Sequence, residues 1–288
     1  MTGPHELVIS EGLSLMYDQA VGQGKTRAMA KGLLLCSGSV LCAGESAGLG
    51  LPVWKTPSRT VFPSLASLKP VGTTILEMEF RMDRVVVWHA GRKTMPDWVG
   101  YAMERLVDAY MKKPFLQHRL LRLRDRVFAP FAVHSTMEAG DCRGHCLVTC
   151  EVIPRGLSVS VDASRLQGPG QLIVLNEVDG ESFNRLRGRD RIWMGPHMPA
   201  WQAATFDAML ESPSLGVGIS LEHGEHEDPS GFSLFSGREV ARGLNWAGLA
   251  VTGRGPVLSY RVRFHSLFSP VFENGHPESM RRAGKAAL

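Results

Sequence analysis

The segment Thr73–Gly91, "TTILEMEFRMDRVVVWHAG", decides the fold class. In its first half, Leu76, Met78, Phe80 and Met82 alternate with charged residues. A period of two predicts a β-strand with one buried and one polar face. A strand that is solvated on one side is typical of an antiparallel sheet. The apolar run "VVVW" that follows predicts burial on both faces.

Strand-like segments recur along the rest of the chain at intervals of about ten residues, separated by turn-forming residues. This spacing favours an all-β fold over alternating βαβ units. The sequence therefore predicts a mainly β protein, a large antiparallel two-sheet β-sandwich of supersandwich-like size, with residues 1–270 as a single domain. Residues 271–288 lose the apolar pattern and predict a flexible C-terminal tail.

One helix is predicted within this β-rich chain, at about 95–113. Thr94 is suited to its N-cap and Pro96 to its first turn, and Pro114 ends it. An apolar stripe between Trp98 and Tyr110 predicts packing against a sheet. Docking on a membrane surface or a partner protein is the alternative interpretation.

Three cysteines lie close together in "GDCRGHCLVTCEVIP", residues 140–154. Cys142, Cys146 and Cys150 have a spacing that matches neither a zinc pair nor a ferredoxin-type run. In a strand, four residues span about 13 Å, whereas two thiolates on one zinc lie about 4 Å apart. We therefore expect buried thiols at Cys146 and Cys150, no metal site and no cofactor. A redox role for Cys142 is the open alternative.

Other familiar motifs are missing or incomplete. The stretch "VGQGKT", residues 21–26, resembles the end of a phosphate-binding loop, but Gln19 replaces the required first glycine. We expect a turn between two strands there. No nucleophile elbow, dinucleotide-binding fingerprint, kinase set or zincin motif is present.

Composition narrows the possible partners and compartment. The net charge is only +4 over 288 residues, with acidic and basic residues interspersed. This balance predicts neither a nucleic-acid nor a membrane partner. No secretory leader or membrane-spanning run is recognisable, and five cysteines form no obvious disulfide framework, so we expect a cytoplasmic protein. The oligomeric state is left open.

The longest stretch without alternation, residues 175–201, is the strongest candidate site. Asn176 and Glu177 lie at the end of an apolar strand, where polar groups can project into a cleft. Arg185 can bind an anion and Trp193 can stack on a sugar. We expect Glu177 to be catalytic and the other three to bind ligand. Arginines paired with acidic neighbours on the surface are the alternative.

Two smaller groups of residues complete the candidate set. Glu222 and His223 open the acidic, histidine-containing stretch "LEHGEHEDPSG" and are predicted ligand-binding residues, a solvated hairpin loop being the alternative. His89 and His134 are predicted catalytic residues that, with carboxylates, form an acid/base cleft if their sheet face is concave. If it is flat, cross-strand ion pairs explain the same charges.

Two functions follow from these patterns. The first is a carbohydrate- or small-molecule-active enzyme with its site on a concave sheet face. The alternative is a non-catalytic binding or assembly protein. The predicted architecture resembles the large β-sandwiches of sugar-active proteins such as mutarotases and polysaccharide lyases. That resemblance is one of architecture and not of motif, and a shared fold does not establish a function.

Overall fold

The computed structural model describes residues 5–17, 30–43, 46–96, 133–198, 201–224, 233–241, 244–253 and 255–268, with four isolated residues between 98 and 105. These residues form twenty β-strands in two antiparallel sheets, one of four strands and one of sixteen. The mainly β, antiparallel prediction is therefore confirmed for the described part of the chain.

The small sheet has the simple order β1-β2-β3-β4. Its strands are β1 His5–Ser10, β2 Leu13–Tyr17, β3 Leu34–Ser37 and β4 Val40–Cys42. In the β3–β4 hairpin, Ser37 pairs with Val40, which leaves a two-residue turn. Gly38 in that turn has a φ of 57°, a conformation that glycine adopts without steric cost.

The large sheet contains all the remaining strands. They are β5 Leu49–Lys55, β6 Thr60–Val71, β7 Ile75–Ala90, β8 Lys93–Thr94, β9 Val133–Ala139, β10 His145–Ile153, β11 Gly156–Asp162, β12 Gln171–Val178, β13 Arg185–Arg187, β14 Ile192–Met194, β15 Gln202–Ala204, β16 Met209–Ser212, β17 Val217–His223, β18 Ser233–Ala241, β19 Leu244–Thr252 and β20 Val257–Ser266. A short 3-10 helix spans Gly195–His197.

The order in the large sheet is β14-β13-β16-β17-β20-β11-β10-β7-β6-β5-β12-β19-β18-β15, and β8 and β9 also pair with β7. β7 is the long central strand. One of its edges pairs with β6, and the other pairs with β10 and then with β9. Residues 175–201, which show no alternation in the sequence, include the end of β12, the short strands β13 and β14, and the 3-10 helix.

The alternation in β7 is confirmed by the burial of its side chains. Leu76, Met78, Phe80 and Met82 are each at most 1% exposed. Asp83 departs from the pattern, because it falls on the polar face and is still only 2% exposed.

Neighbouring donors explain why Asp83 can be buried. Ser64 Oγ donates to Asp83 Oδ1 at 2.7 Å, and Arg81 Nε donates to Oδ2 at 2.5 Å. Arg84 Nε lies 3.5 Å from Oδ1. The carboxylate exchanges water for these partners, which is the condition for burying a charge.

The core joins strands that are far apart in the order of the large sheet. A side chain at Gly50 of β5 would begin 3.8 Å from Cys150 and Val148 of β10. The hydroxyl of Tyr260, in β20, donates to Asn176 Oδ1, in β12, at 2.9 Å, and both groups are buried. One continuous cluster of buried side chains also includes residues of the small sheet.

The cysteines behave as the strand pattern predicted. Cys146 and Cys150 lie on the buried face of β10, and both are fully buried. Burial raises the pKa of each thiol to about 12. Cys142 is exposed in the preceding turn. Within the described ranges, no three His, Cys, Asp or Glu side chains are grouped to hold a metal ion.

Three sequence predictions lie wholly or largely outside the described residues. They are the helix at about 95–113, the turn at 21–26 and the tail at 271–288. The four isolated residues described within the helical segment have helical backbone. Nowhere in the described ranges is there a helix with the length and hydrophobicity that crossing a membrane requires.

Candidate functional site

Asn176 and Glu177 are buried at the end of β12 and hold the segment that leads into β5. Asn176 Oδ1 accepts from the Gly50 N–H at 3.1 Å as well as from Tyr260. Glu177 Oε2 accepts from the Ala47 N–H at 2.7 Å. A register shift between β12 and β5 begins at Asn176, so two consecutive polar side chains meet the same incoming segment.

Burial also changes the ionisation of Glu177. Removal of its carboxyl from water raises the pKa to about 7, although the Ala47 N–H and the charge of Lys31 act in the opposite direction. Asn176 and Glu177 lie outside the lining of both cavities described below. Their predicted ligand-binding and catalytic roles stay predictions, and their contacts are those of a buried structural network.

His89 and His134 are brought together on the surface. They pair directly across β7 and β9, and their rings stack with centroids 5.1 Å apart. His89 Nε2 lies 3.0 Å from Glu138 Oε1 and 2.8 Å from Thr136 Oγ1. The structure therefore joins the two predicted catalytic histidines to a carboxylate. This cluster also lies outside the lining of both cavities.

Arg185 is engaged in an ion pair with a buried carboxylate. It pairs with Glu211 across β13 and β16, and Arg187 Nε lies 2.7 Å from Glu211 Oε1. Glu211 is fully buried. Arg185 is thus paired with an acidic partner, but that partner is buried, whereas the alternative interpretation placed such pairs on the surface. The predicted ligand-binding role of Arg185 stays a prediction. Trp193 lies on β14, where its ring would be 3.1 Å from a side chain at Gly188.

The larger of the two described cavities lies between the two sheets and has a volume of about 710 Å³. We call it the seam groove. The small sheet contributes the β1–β2 turn, and the large sheet contributes the turns before β11 and β17 and the end of β20. Its lining residues are 9–13, Ser37, 154–155, 215–217, Glu222, 263–266 and Phe268.

Alternation in β17 and β20 directs charged side chains into this groove. Leu221 and Phe264 point to the core, so their neighbours Glu222, Arg263 and His265 face outward. Arg263 Nε donates to Glu222 Oε2 at 2.9 Å. The groove therefore carries a carboxylate, a guanidinium and an imidazole on two adjacent strands.

His265 makes a further contact with a residue beside the groove. Its Nε2 lies 2.8 Å from Ser220 Oγ. Gly218 is directly opposite His265 in the β17–β20 register, so no side chain at that position blocks the imidazole from leaning towards Ser220. Partial burial lowers the pKa of His265, while the charge of Glu222 opposes that effect. The ring is therefore mainly neutral at pH 7.

Of the predicted ligand-binding residues, Glu222 lines the seam groove. His223 follows it at the end of β17, and its ring meets Phe206 edge-on with centroids 5.6 Å apart. The sequence prediction did not include Ser220, Arg263 or His265. Alternation in their strands marks all three as outward-facing, but it does not reveal that β17 and β20 are neighbours.

A second cavity, of about 200 Å³, lies on the polar face of β7 and its neighbours. Its charges are largely paired within the sheet. Lys69 Nζ lies 3.5 Å from Glu77 Oε2, and His145 Nδ1 lies 3.1 Å from Glu79 Oε1. These are cross-strand pairs of the kind that stabilise a sheet without a function.

Comparison of the chain with models of protein families, with curated proteins and with solved structures found no match. The geometry of the chain is therefore the basis of the functional assignment.

Proposed function

We propose that this protein is an enzyme that acts on a carbohydrate or a similar small molecule bound in the seam groove. The observation that carries the proposal is that a carboxylate and a histidine, Glu222 and His265, both line a groove of about 710 Å³. Small-molecule sites have volumes of about 300–1,000 Å³ and combine apolar walls with a few convergent polar groups.

The walls of the groove suit a ligand with both apolar and hydroxyl-bearing faces. Phe268 is 72% exposed and offers its ring for stacking on a sugar. Glu222 and Arg263 provide a charged acceptor and a charged donor for hydroxyl groups. Arg155 adds a second guanidinium from the β10–β11 turn.

The two central groups have complementary proton chemistry. Arg263 Nε donates to Glu222 Oε2 and so holds this carboxyl group in place. His265 is mainly neutral at pH 7, so its unprotonated nitrogen can accept a proton. A carboxyl group and an imidazole that line one groove are a suitable acid/base set.

We also infer that the large sheet folds back on itself as a β-sandwich, with the seam groove where the small sheet meets it. The closeness of Gly50 to the Cys150 side chain and the hydrogen bond of Tyr260 to Asn176 support this arrangement, because they join strands from separate parts of the sheet. The cytoplasmic location, the lack of a cofactor, and the absence of nucleic-acid and membrane partners stay predictions from the sequence.

The test is a thermal-shift screen of oligosaccharides and small metabolites, followed by calorimetry on any stabilising ligand. Glu222→Gln removes the groove carboxylate, and Glu151→Gln is the matched control because Glu151 is an exposed carboxylate on β10. We expect the first variant to bind at least about tenfold more weakly, about 1.4 kcal/mol, and the control to bind like the wild type. Equal binding by all three proteins would show that the groove is not the site.

A non-catalytic binding or assembly protein is the second candidate. The observation that favours it is the edge strand β14, on which Ile192 and Met194 are 55% and 58% exposed. Unpaired strand edges with apolar side chains promote pairing between chains. Light scattering on the wild type and on Ile192→Lys tests this alternative. A monomeric wild type would rule out self-assembly through this edge.

A further inference from the structure

Ser220 and His265 have the geometry of a nucleophile and its base. A distance of 2.8 Å between Oγ and Nε2 is within the range expected for such a pair. The two residues lie on adjacent strands of one sheet, so the ladder of backbone hydrogen bonds between β17 and β20 fixes their relative position. In the Nδ1–H tautomer of His265, the Ser220 hydroxyl donates to Nε2.

The surroundings of His265 act on its protonation in both directions, because burial and the charge of Arg263 lower its pKa whereas two carboxylates oppose that shift. Both Glu222 and Glu211 stabilise the protonated imidazole through their negative charge, and Glu211 is fully buried beside Arg185. The two carboxylates offset part of the cost of charging the imidazole when it takes the serine proton.

The surroundings of Ser220 also suit the charge that forms during acyl transfer. Arg263 is directly opposite Ser220 in the β17–β20 register. Its side chain is therefore on the same face as the hydroxyl, where it donates to Glu222 and to the Pro154 carbonyl oxygen. The positive charge on this face would favour an oxyanion formed at Ser220. His265 lines the seam groove, so a bound ligand can reach the pair from there.

We propose that Ser220 is a catalytic nucleophile activated by His265, and that the substrates are esters of the groove ligand. This inference rests on the proposed function, because the alcohol part of the ester occupies the seam groove. It extends that function by naming the reaction class, ester hydrolysis, and a nucleophile that the acid/base pair alone does not provide.

The reaction has two balanced steps. Ser220 Oγ attacks the carbonyl carbon while its proton passes to His265 Nε2; the bond between that carbon and the alcohol oxygen then breaks, and His265 returns the proton to the alcohol. In the second step, water attacks the acyl-serine ester and gives a proton to His265. The acyl group leaves as the carboxylic acid, and the proton passes back to Ser220 Oγ.

The experiment is covalent labelling with a fluorophosphonate probe, read by peptide mass spectrometry, together with hydrolysis of p-nitrophenyl acetate. Ser220→Ala and His265→Gln test the pair. Ser160→Ala is the matched control, since Ser160 faces outward on β11 and its hydroxyl meets Ser259 rather than a histidine. We expect wild type and control to be labelled at Ser220 at equal rates. Labelling should slow about 100-fold in His265→Gln and be absent in Ser220→Ala.

Three outcomes separate this inference from the proposed function. The assignment of Ser220 as a nucleophile activated by His265 is refuted if Ser220 is not labelled, or if it is labelled at the same rate in His265→Gln. Calorimetry that still shows glycan binding in that case leaves the proposed function standing. If the labelling of Ser220 depends on His265 but the wild type binds no glycan, Ser220 is supported as a nucleophile and the proposed carbohydrate ligand is refuted.

Discussion

Replacing Asn176 by alanine should cost far more stability than a typical single substitution. The side-chain oxygen accepts two buried hydrogen bonds, from Gly50 N–H and from the Tyr260 hydroxyl. Each buried donor left without a partner costs about 1–3 kcal/mol. The amide nitrogen of Asn176 has no partner among the described residues, which reduces the net contribution of the wild-type side chain. We expect the free energy of unfolding to fall by about 2–4 kcal/mol.

Tyr260→Phe separates the two hydrogen bonds. It removes only the hydroxyl and should cost about 1 kcal/mol. In the double variant the two losses should not add, with a coupling energy of about 1 kcal/mol, because both substitutions remove the same bond.

Urea unfolding of the two single variants and the double variant measures these quantities. Ser259→Ala, on the outward face of β20, is the control, with an expected change below about 0.5 kcal/mol. The reasoning would be refuted if Asn176→Ala were as stable as this control, or if Asn176→Ala and Tyr260→Phe had additive effects. A large loss of unfolding free energy in Asn176→Ala, measured without ligand, would also show that Asn176 has a structural role.

Two further predictions concern buried carboxylates. The pKa of Glu177 is raised to about 7, so between about pH 4.5 and 7 the folded protein keeps a proton that the unfolded chain has lost. The contribution of this group to the free energy of unfolding should therefore fall by about 3 kcal/mol as pH rises through that range. Urea titrations at pH 5 and 8 should show this dependence on pH in the wild type and not in Glu177→Gln. Arg185→Ala leaves Glu211 buried with one guanidinium fewer and should cost about 3 kcal/mol, whereas Arg189→Ala, which breaks an exposed pair with Asp207, should cost less than about 1 kcal/mol in the same assay. Equal costs for the two arginines would contradict the burial argument.

The fold class was predictable because alternation in β7 is a local property of the sequence. The same reasoning placed Cys146 and Cys150 on one buried face. It failed at β13 and β14, which are three residues each and too short to show a period. It also failed at Asp83, since the burial of that carboxylate depends on donors, among them Ser64, from a neighbouring strand.

The candidate site was less predictable, because strand order creates it. Ser220 and His265 are 45 residues apart in the chain and meet only because β17 pairs with β20. The seam groove further requires the β1–β2 turn to lie beside that pair. Glu222 could be selected from its polar surroundings in the sequence, whereas Ser220 lies within an ordinary strand pattern.

The physical contrast between Glu177 and His265 favours the groove over the predicted 175–201 site. For Glu177 to act as a base, its hydrogen bond from the Ala47 N–H must weaken in each turnover, and an unpaired buried amide costs about 1–3 kcal/mol. The loss would fall on the segment that starts β5, so chemistry at Glu177 would disturb the core. His265 lies at the exposed end of β20, so a ligand would replace water around it without breaking a core contact. Acid/base chemistry would therefore cost less folding energy on the outer face of β17 and β20, where Glu222, Ser220 and His265 lie, than at Glu177.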